Sequence, residues 1–129
     1  MKVLWIIILD LFFVFSVNAQ KDVSCARFFE MMNNRNSLVI LDVRIKEKYA
    51  ENRIPDAIYA GEKKILLEEM EPINKEIPVL IYCDYGERSE TVVNILEKEG
   101  FKEIFHLEEG FEAWCKNEFP VDNTKIELE

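Results

Sequence analysis

Two kinds of hydrophobic pattern alternate along the chain. Short runs that are almost continuously apolar are typical of strands buried in a parallel sheet, and these strands are predicted at 38–41, 79–82 and 104–107. Between them, apolar residues recur at helical spacing among charged ones. Helices are predicted at 25–32, 62–70, 89–99 and around Trp114, with a charged helical turn at 46–51 and a short strand at 58–60. Strands that alternate with helices predict an α/β fold with a mainly parallel sheet.

The ends of these elements carry recognisable signals. Asp22 or Ser24 can cap the first helix, whose expected apolar side includes Phe28 and Met31. Gly100 follows the helix at 89–99 and is expected to end it in a left-handed conformation. The acidic tail after Pro120 is interpreted as a solvated end.

The first 19 residues have the layout of a secretory signal peptide. Lys2 precedes an apolar run at 3–17, and Val17-Asn18-Ala19 places small residues before a cut after Ala19. Asp10 is unusual inside such a run, because an ionised carboxylate there is costly. We expect a signal peptide at 1–19, a domain at 20–129, and a periplasmic or secreted protein. An uncleaved membrane anchor and a buried N-terminal helix are the alternatives, and only the anchor would bring the domain to a membrane.

Chain length and net charge limit the number of domains and the kinds of partner that the protein can have. A length of 129 residues allows one domain, and a net charge of -9 makes nucleic acid an unfavourable partner. The three cysteines show no CxxC spacing and the chain has a single histidine, so no metal site is predicted.

Cys83 occupies the most informative position in the sequence. It follows the apolar strand at 79–82 and precedes a helix, and ligands of parallel sheets bind beyond the carboxyl ends of the strands. The segment Cys83-Asp84-Tyr85-Gly86-Glu87-Arg88-Ser89 can form a loop whose N–H groups favour a thiolate. Gly86 would permit a tight turn, Arg88 would add positive charge, and Ser89 would add a hydroxyl. The alternative is a buried, inert cysteine.

This segment resembles the active-site loop of the rhodanese family, with the Cys, Gly, Arg and Ser at the family's spacing. Other parts of the chain resemble further family elements, in the family's order. These are Leu41–Arg44 with Glu47 and Tyr49, Arg53–Ile58, and Leu107–Trp114. Together they cover nearly all of the expected mature chain.

The resemblance implies a five-stranded, mainly parallel sheet with helices on both faces, and a sulfurtransferase. Cys83 would attack sulfane sulfur from thiosulfate or a persulfide, hold it as a persulfide, and pass it to a thiol or to cyanide. The loop from Asp84 to Ser89 would bind the persulfide, without a dedicated general base and without a metal or organic cofactor. A related phosphatase is disfavoured, because the six residues from Cys83 to Arg88 match the shorter loop of sulfur-handling members. A non-catalytic binding module and a thiol redox protein stay open as alternatives.

Several residues depart from the family pattern. Asp84 and Glu87 place two carboxylates in the loop, where they should oppose the thiolate and repel the thiosulfate dianion. Arg53 stands where the family often has His. Glu109 replaces the first Gly of the final motif, so that turn is expected to differ in shape.

The other candidate polar residues and the two other cysteines are expected to support the structure rather than to take part in chemistry. Asp42 and Arg44 are expected to form a supporting ion pair near the loop, and His106 is expected to be a hydrogen-bonded or exposed histidine rather than a catalytic one. In the resembled fold, Cys25 and Cys115 could approach each other for a disulfide. The favoured alternative places Cys115 in the core beside Trp114, with Cys25 on or near the helix surface.

Overall fold

The computed structural model describes residues 21–128, so the predicted signal peptide lies outside the described residues and stays a prediction. One five-stranded parallel sheet organises the chain, in the order β1-β5-β4-β2-β3. The strands are β1 (Asp22–Val23), β2 (Val39–Asp42), β3 (Ile58–Tyr59), β4 (Val79–Tyr82) and β5 (Ile104–Leu107). The helices are α1 (Cys25–Asn34), α2 (Lys46–Glu51), α3 (Lys63–Met70), α4 (Glu87–Lys98) and α5 (Gly110–Lys116). None of these helices is long and apolar enough to span a bilayer.

The predicted α/β class and the five-stranded parallel sheet are confirmed, with helices on both faces. On one face, α3 and α4 pack on alternate residues of β2 and β4 such as Leu41 and Ile81. On the other, α1 and α5 pack on the intervening residues such as Leu80 and Tyr82. Burial of both faces explains why β2 and β4 are apolar at nearly every position.

Strand β1 lies where the sequence predicts the start of a helix, and no strand is predicted there. Asp22 pairs with His106 and Val23 with Leu107, so β1 forms an edge of the sheet. Asp22 therefore does not cap α1, and Ser24 does, because its Oγ accepts the Arg27 N–H at 3.2 Å. Two residues are too few to show a strand period, and their pairing partner is more than 80 positions away.

The expected placement of two cysteines is wrong. Cys25 is buried, Cys115 is exposed, and the two do not pair. Consecutive helical residues point about 100° apart, so burying Trp114 in the core turns Cys115 outward. Cys25 shares the inner side of α1 with Phe28 and Met31, which were expected there.

The acidic tail is exposed from Asn123 to Leu128, as expected of a solvated end, but hydrogen bonds also fasten its backbone to the domain. Arg53 and Asp122 exchange two backbone hydrogen bonds of 2.8 and 3.0 Å, and Ile126 donates to the Ala50 carbonyl at 2.9 Å. The Arg53 side chain is buried, and it donates to the Thr124 carbonyl and pairs with Asp122 at 2.9 Å. The arginine that replaces the family's usual histidine therefore ties the tail to α2.

The expected ion pair of Asp42 and Arg44 is present and fully buried, with a shortest N–O distance of 2.6 Å. The Tyr82 hydroxyl donates to Asp42 Oδ2 at 2.6 Å and accepts the Ile54 N–H at 3.0 Å. Arg44 also lies over the Phe111 ring, 4.1 Å from its centre. This cluster joins β2, β4 and the start of α5, all of which meet beside Cys83.

We predict that Tyr82→Phe lowers the free energy of unfolding by about 1–3 kcal/mol, because the Ile54 N–H and Asp42 each lose a partner inside the protein. Urea denaturation at neutral pH measures this. Burial, and after it the Asp42 carboxylate, raises the pKa of Tyr82 well above its usual value. Tyr82 therefore contributes stability below the pKa of about 10 of an unfolded tyrosine, and this contribution is lost as the pH rises above it.

The Tyr82→Phe variant should accordingly lose less stability than the wild type between neutral and strongly alkaline pH. Equal stability of the two proteins at neutral pH would contradict the role given to the hydroxyl.

Candidate active site

Cys83 directly follows β4, whose neighbours in the sheet are β2 and β5. Its side chain is 3% exposed. The sulfur therefore sits at the carboxyl edge of the sheet, as predicted from the position of the apolar strand. At this depth, an anionic sulfur can form only where hydrogen-bond donors replace water.

Donors from the following loop and helix surround the sulfur. The Gly86 N–H points at Cys83 Sγ from 3.1 Å and the Ser89 N–H from 3.4 Å. The sulfur in turn can donate its own hydrogen to the Ser89 hydroxyl oxygen at 3.5 Å, while that hydroxyl donates to the Gly86 carbonyl at 3.1 Å. Because Ser89 lies in the first turn of the 12-residue helix α4, the positive end of the helix dipole also faces the sulfur.

Two glycines allow the loop to close this tightly. Gly86 has a φ of +95°, and a Cβ there would lie 2.1 Å from the Glu108 carbonyl oxygen. Gly110 has a φ of +78°, and a Cβ there would lie 2.3 Å from the Asp84 carbonyl oxygen. The loops after β4 and β5 thus pack backbone against backbone, which no side chain at either position would permit. Glu109 adopts ordinary right-handed angles, so the turn does not need the glycine that the family has there.

The start of α5 fixes the loop from the opposite side. The Phe111 N–H donates to the Cys83 carbonyl at 2.8 Å, and the Glu112 N–H donates to the Asp84 carbonyl at 3.2 Å. These bonds use donors that the first turn of a helix leaves unpaired. They hold the main chain at Cys83 while the side chain faces α4.

The mouth of the site is a small cavity of about 170 Å³ lined by Cys83, Asp84, Tyr85, Glu87 and Arg88. Tyr85 is 69% exposed, and Glu87 and Arg88 are also exposed. Arg88 donates to the Gly61 carbonyl at 3.0 Å, which places its positive charge at the rim. Asp84 pairs with Lys48 at 3.0 Å, so its negative charge is partly compensated.

The structure thus brings together all the predicted loop residues from Cys83 to Ser89. Asp42 and Arg44 do not line the Cys83 cavity, and they support it through Phe111 and Tyr82. Within residues 21–128, no group of three or more potential metal ligands is present.

Two residues that the sequence analysis left out of the site lie next to it. Ser89 Oγ is 3.3 Å from Nδ1 of His106, and Nε2 of His106 contacts Oδ1 of Asp22. His106 is buried and hydrogen-bonded at both ring nitrogens, so it is the satisfied histidine that was expected. Its connection to Cys83 through Ser89 was not expected, and it depends on the unpredicted strand β1.

The other cysteines have different surroundings. Burial, and after it Glu109, raises the pKa of the Cys25 thiol. Partial burial, and after it Glu112, raises the pKa of the Cys115 thiol. Both shifts disfavour the nucleophilic thiolate, and among residues 21–128 no cradle of N–H groups like that at Cys83 surrounds either sulfur.

Comparisons with known proteins agree with this geometry. A family model described as a rhodanese-like domain matches residues 25–117. A thiosulfate sulfurtransferase, GlpE, from Coxiella burnetii is 39% identical over 94 residues, which cover 73% of this chain and 86% of that protein. The crystal structure of a rhodanese-like domain protein from Staphylococcus aureus is similar with a TM-score of 0.64 at 27% identity, over 74% of this chain and 91% of that one. The solution structure of a rhodanese-like domain from Anabaena is similar with a TM-score of 0.72 at 20% identity, over 81% of this chain and 80% of that one.

Proposed function

The chain belongs to the rhodanese-like domain family and is a rhodanese-type sulfurtransferase, and we propose that Cys83 carries the transferred sulfur as a persulfide. The observation that carries this proposal is the convergence of the Gly86 and Ser89 N–H groups on Cys83 Sγ. The identification of a sulfurtransferase rests on the relatives, and the assignment of Cys83 rests on this geometry.

In the first half of the cycle, the Cys83 thiolate attacks the sulfane sulfur of the donor. A new S–S bond forms to Cys83, and the bond between the sulfane sulfur and the rest of the donor breaks. Thiosulfate leaves as sulfite, while a donor persulfide leaves as a thiolate. The product on Cys83 is an anionic persulfide, so the negative charge stays at the site and the N–H groups continue to stabilise it.

In the second half, an acceptor thiolate or cyanide attacks the outer sulfur of the persulfide. The S–S bond to Cys83 breaks, the Cys83 thiolate returns, and the acceptor leaves as a persulfide or as thiocyanate. The charge is again unchanged at the site, so the same N–H groups serve both halves of the cycle.

A persulfide on a partner protein or on a small thiol is the donor that best suits the mouth of the site. Glu87 is exposed at the rim and should repel the thiosulfate dianion, whereas a persulfide carries a single negative charge. The exposed Tyr85 ring offers apolar contact area to a partner that approaches the cavity. The acceptor, whether a thiolate or cyanide, likewise carries a single negative charge.

We also propose that the protein is exported, as a periplasmic or secreted enzyme. The support is the apolar run at 3–17 followed by Val17-Asn18-Ala19. A cut after Ala19 would leave β1, which begins at Asp22, intact. N-terminal sequencing of the protein from its native host distinguishes export with a start at Gln20 from a retained Met1.

We predict that Cys83→Ser abolishes sulfur transfer and leaves the fold intact, because a hydroxyl is far less acidic than a thiol and has a similar size. Intact-mass analysis after incubation with a sulfane donor should show one added sulfur atom on the wild type and none on the variant. The donors tested should include thiosulfate and a small-molecule persulfide.

Cys115→Ser is the matched control, since it removes the exposed thiol and should leave the added sulfur in place. If Cys83→Ser still gains a sulfur that Cys115→Ser does not, then Cys83 is not the carrier. If no donor loads the wild type, the site is a binding module on this scaffold.

We predict that thiosulfate is a poor donor and that Asp84→Asn combined with Glu87→Gln lowers its KM about threefold, because two carboxylates near the mouth repel a dianion. Glu87→Gln alone should give most of the change, since Lys48 already compensates Asp84. The difference should shrink at high ionic strength. Steady-state kinetics at two salt concentrations measure it, and an unchanged KM for thiosulfate in the double variant would refute the repulsion.

A further inference from the structure

A continuous line of polar contacts runs from the sulfur of Cys83 to the edge of the sheet. Cys83 Sγ lies 3.5 Å from Ser89 Oγ, and Ser89 Oγ lies 3.3 Å from His106 Nδ1. On the other side of the ring, His106 Nε2 contacts Asp22 Oδ1. Asp22 and His106 are paired residues of the parallel strands β1 and β5, so both side chains lie on the face of the sheet that α4 covers.

We propose that Ser89, His106 and Asp22 form a proton relay that accepts the proton of Cys83 and favours its thiolate. This inference rests on the proposed role of Cys83 as the sulfur carrier, and it adds the proton acceptor that the sequence analysis did not expect. Ser89 touches the reacting sulfur, while His106 and Asp22 act through it as positioning residues.

The direction in which a proton can move along this line follows from which atom of each group donates a hydrogen and which accepts one. An ionised Asp22 can only accept, so Nε2 of His106 carries a hydrogen that it donates to Asp22. In the neutral ring, Nδ1 is then bare, and the single hydroxyl hydrogen of Ser89 has two acceptors, the Gly86 carbonyl at 3.1 Å and Nδ1 at 3.3 Å. The Ser89 oxygen is left with lone pairs, which can accept the S–H hydrogen of Cys83. When the hydroxyl hydrogen turns from the Gly86 carbonyl to Nδ1, all three hydrogen bonds point from Cys83 toward Asp22.

Two proton transfers along this line produce the nucleophile. The S–H bond of Cys83 breaks as its proton passes to Ser89 Oγ, and the original hydroxyl proton of Ser89 passes to His106 Nδ1. The serine ends as a neutral hydroxyl that now donates to the sulfur, the sulfur carries one negative charge, and the ring carries one positive charge. Asp22 stabilises that imidazolium, and no oxidant or further reactant is needed.

The surroundings of His106 give it no other proton acceptor of comparable proximity within residues 21–128. Asp22 contacts it from β1, and the apolar Ile81 is its paired residue on β4. Lys21 and Glu97 form an ion pair between the residue before β1 and α4, so their charges compensate each other. A positive ring and a negative sulfur would be separated by no more than about 7 Å, a distance at which opposite charges inside a protein attract appreciably.

The test measures the rate at which iodoacetamide alkylates Cys83 across the pH range in which imidazole titrates. It uses the full chain with Cys115→Ser as background, and peptide mass mapping assigns the modified residue. Relative to this background, His106→Gln should move the midpoint of the profile to higher pH, because Gln cannot hold the proton. Asp22→Asn should move it in the same direction by less.

The sign of the Asp22→Asn shift separates the relay from a simple charge effect. Removing a negative charge near a thiol favours the thiolate and would lower the midpoint, whereas removing the stabiliser of an imidazolium raises it. Glu97→Gln is the matched control, because it removes a carboxylate from the same region without touching the ring. Its midpoint should stay unchanged or fall.

Coupling through Ser89 is the second readout. In a Ser89→Ala background, His106→Gln should shift the midpoint by less than half as much, because the bridge between ring and sulfur is gone. Thermal denaturation checks that each variant is folded. If His106→Gln does not fold, Asp22→Asn decides the matter, since the Asp22 side chain is 53% exposed.

A midpoint that stays constant or falls in Asp22→Asn overturns the relay, as does an unchanged midpoint in folded His106→Gln. Alkylation requires no sulfur donor, so this result is independent of whether Cys83 accepts sulfur. The relay can therefore be refuted while the proposed function stands. Equally, the alkylation profiles can support the relay even if Cys83 accepts no sulfur.

Discussion

An anionic sulfur held almost out of contact with water is the condition on which the site depends. Cys83 is 3% exposed, and in such a place a thiolate or a persulfide forms only if fixed dipoles replace the solvent. The N–H groups of Gly86 and Ser89 supply those dipoles, and α4 adds the positive end of its own. Because every form of the sulfur in the transfer cycle carries the same negative charge, one arrangement of donors serves the whole cycle.

The rest of the fold keeps these donors in place. The loop of Cys83 is held between two helix starts, with α4 directed at the sulfur and α5 bonded to the carbonyls of Cys83 and Asp84. Gly86 and Gly110 allow the two loops to meet without a side chain between them. The buried cluster of Asp42, Arg44 and Tyr82 then fixes β2, β4 and the start of α5 relative to one another. Several helices and strands together therefore hold the loop of Cys83 in a fixed position.

The sequence predicts the parts of this arrangement that local pattern encodes. The apolar run before Cys83, the helix after it and the family resemblance of the loop were enough to predict the class of fold and to single out Cys83 as the candidate nucleophile. The sequence does not predict β1, because a strand of two residues shows no hydrophobic period. Without β1, the pairing of Asp22 with His106 cannot be predicted either. The burial of Cys25, the exposure of Cys115 and the docking of the tail on Arg53 likewise depend on how helices turn and pack, which their composition does not reveal.

The central claim is that the backbone of the loop stabilises the sulfur carried by Cys83. The direct measurement is the fraction of Cys83 that holds a persulfide at equilibrium with a limiting donor, in the wild type and in Gly86→Ala. An alanine Cβ would lie 2.1 Å from the Glu108 carbonyl oxygen, so the loop must shift and withdraw the Gly86 N–H from Sγ. We expect about a tenfold lower equilibrium constant for persulfide formation, the cost of one charge-assisted hydrogen bond. A folded Gly86→Ala protein that holds as much persulfide as the wild type would contradict the account.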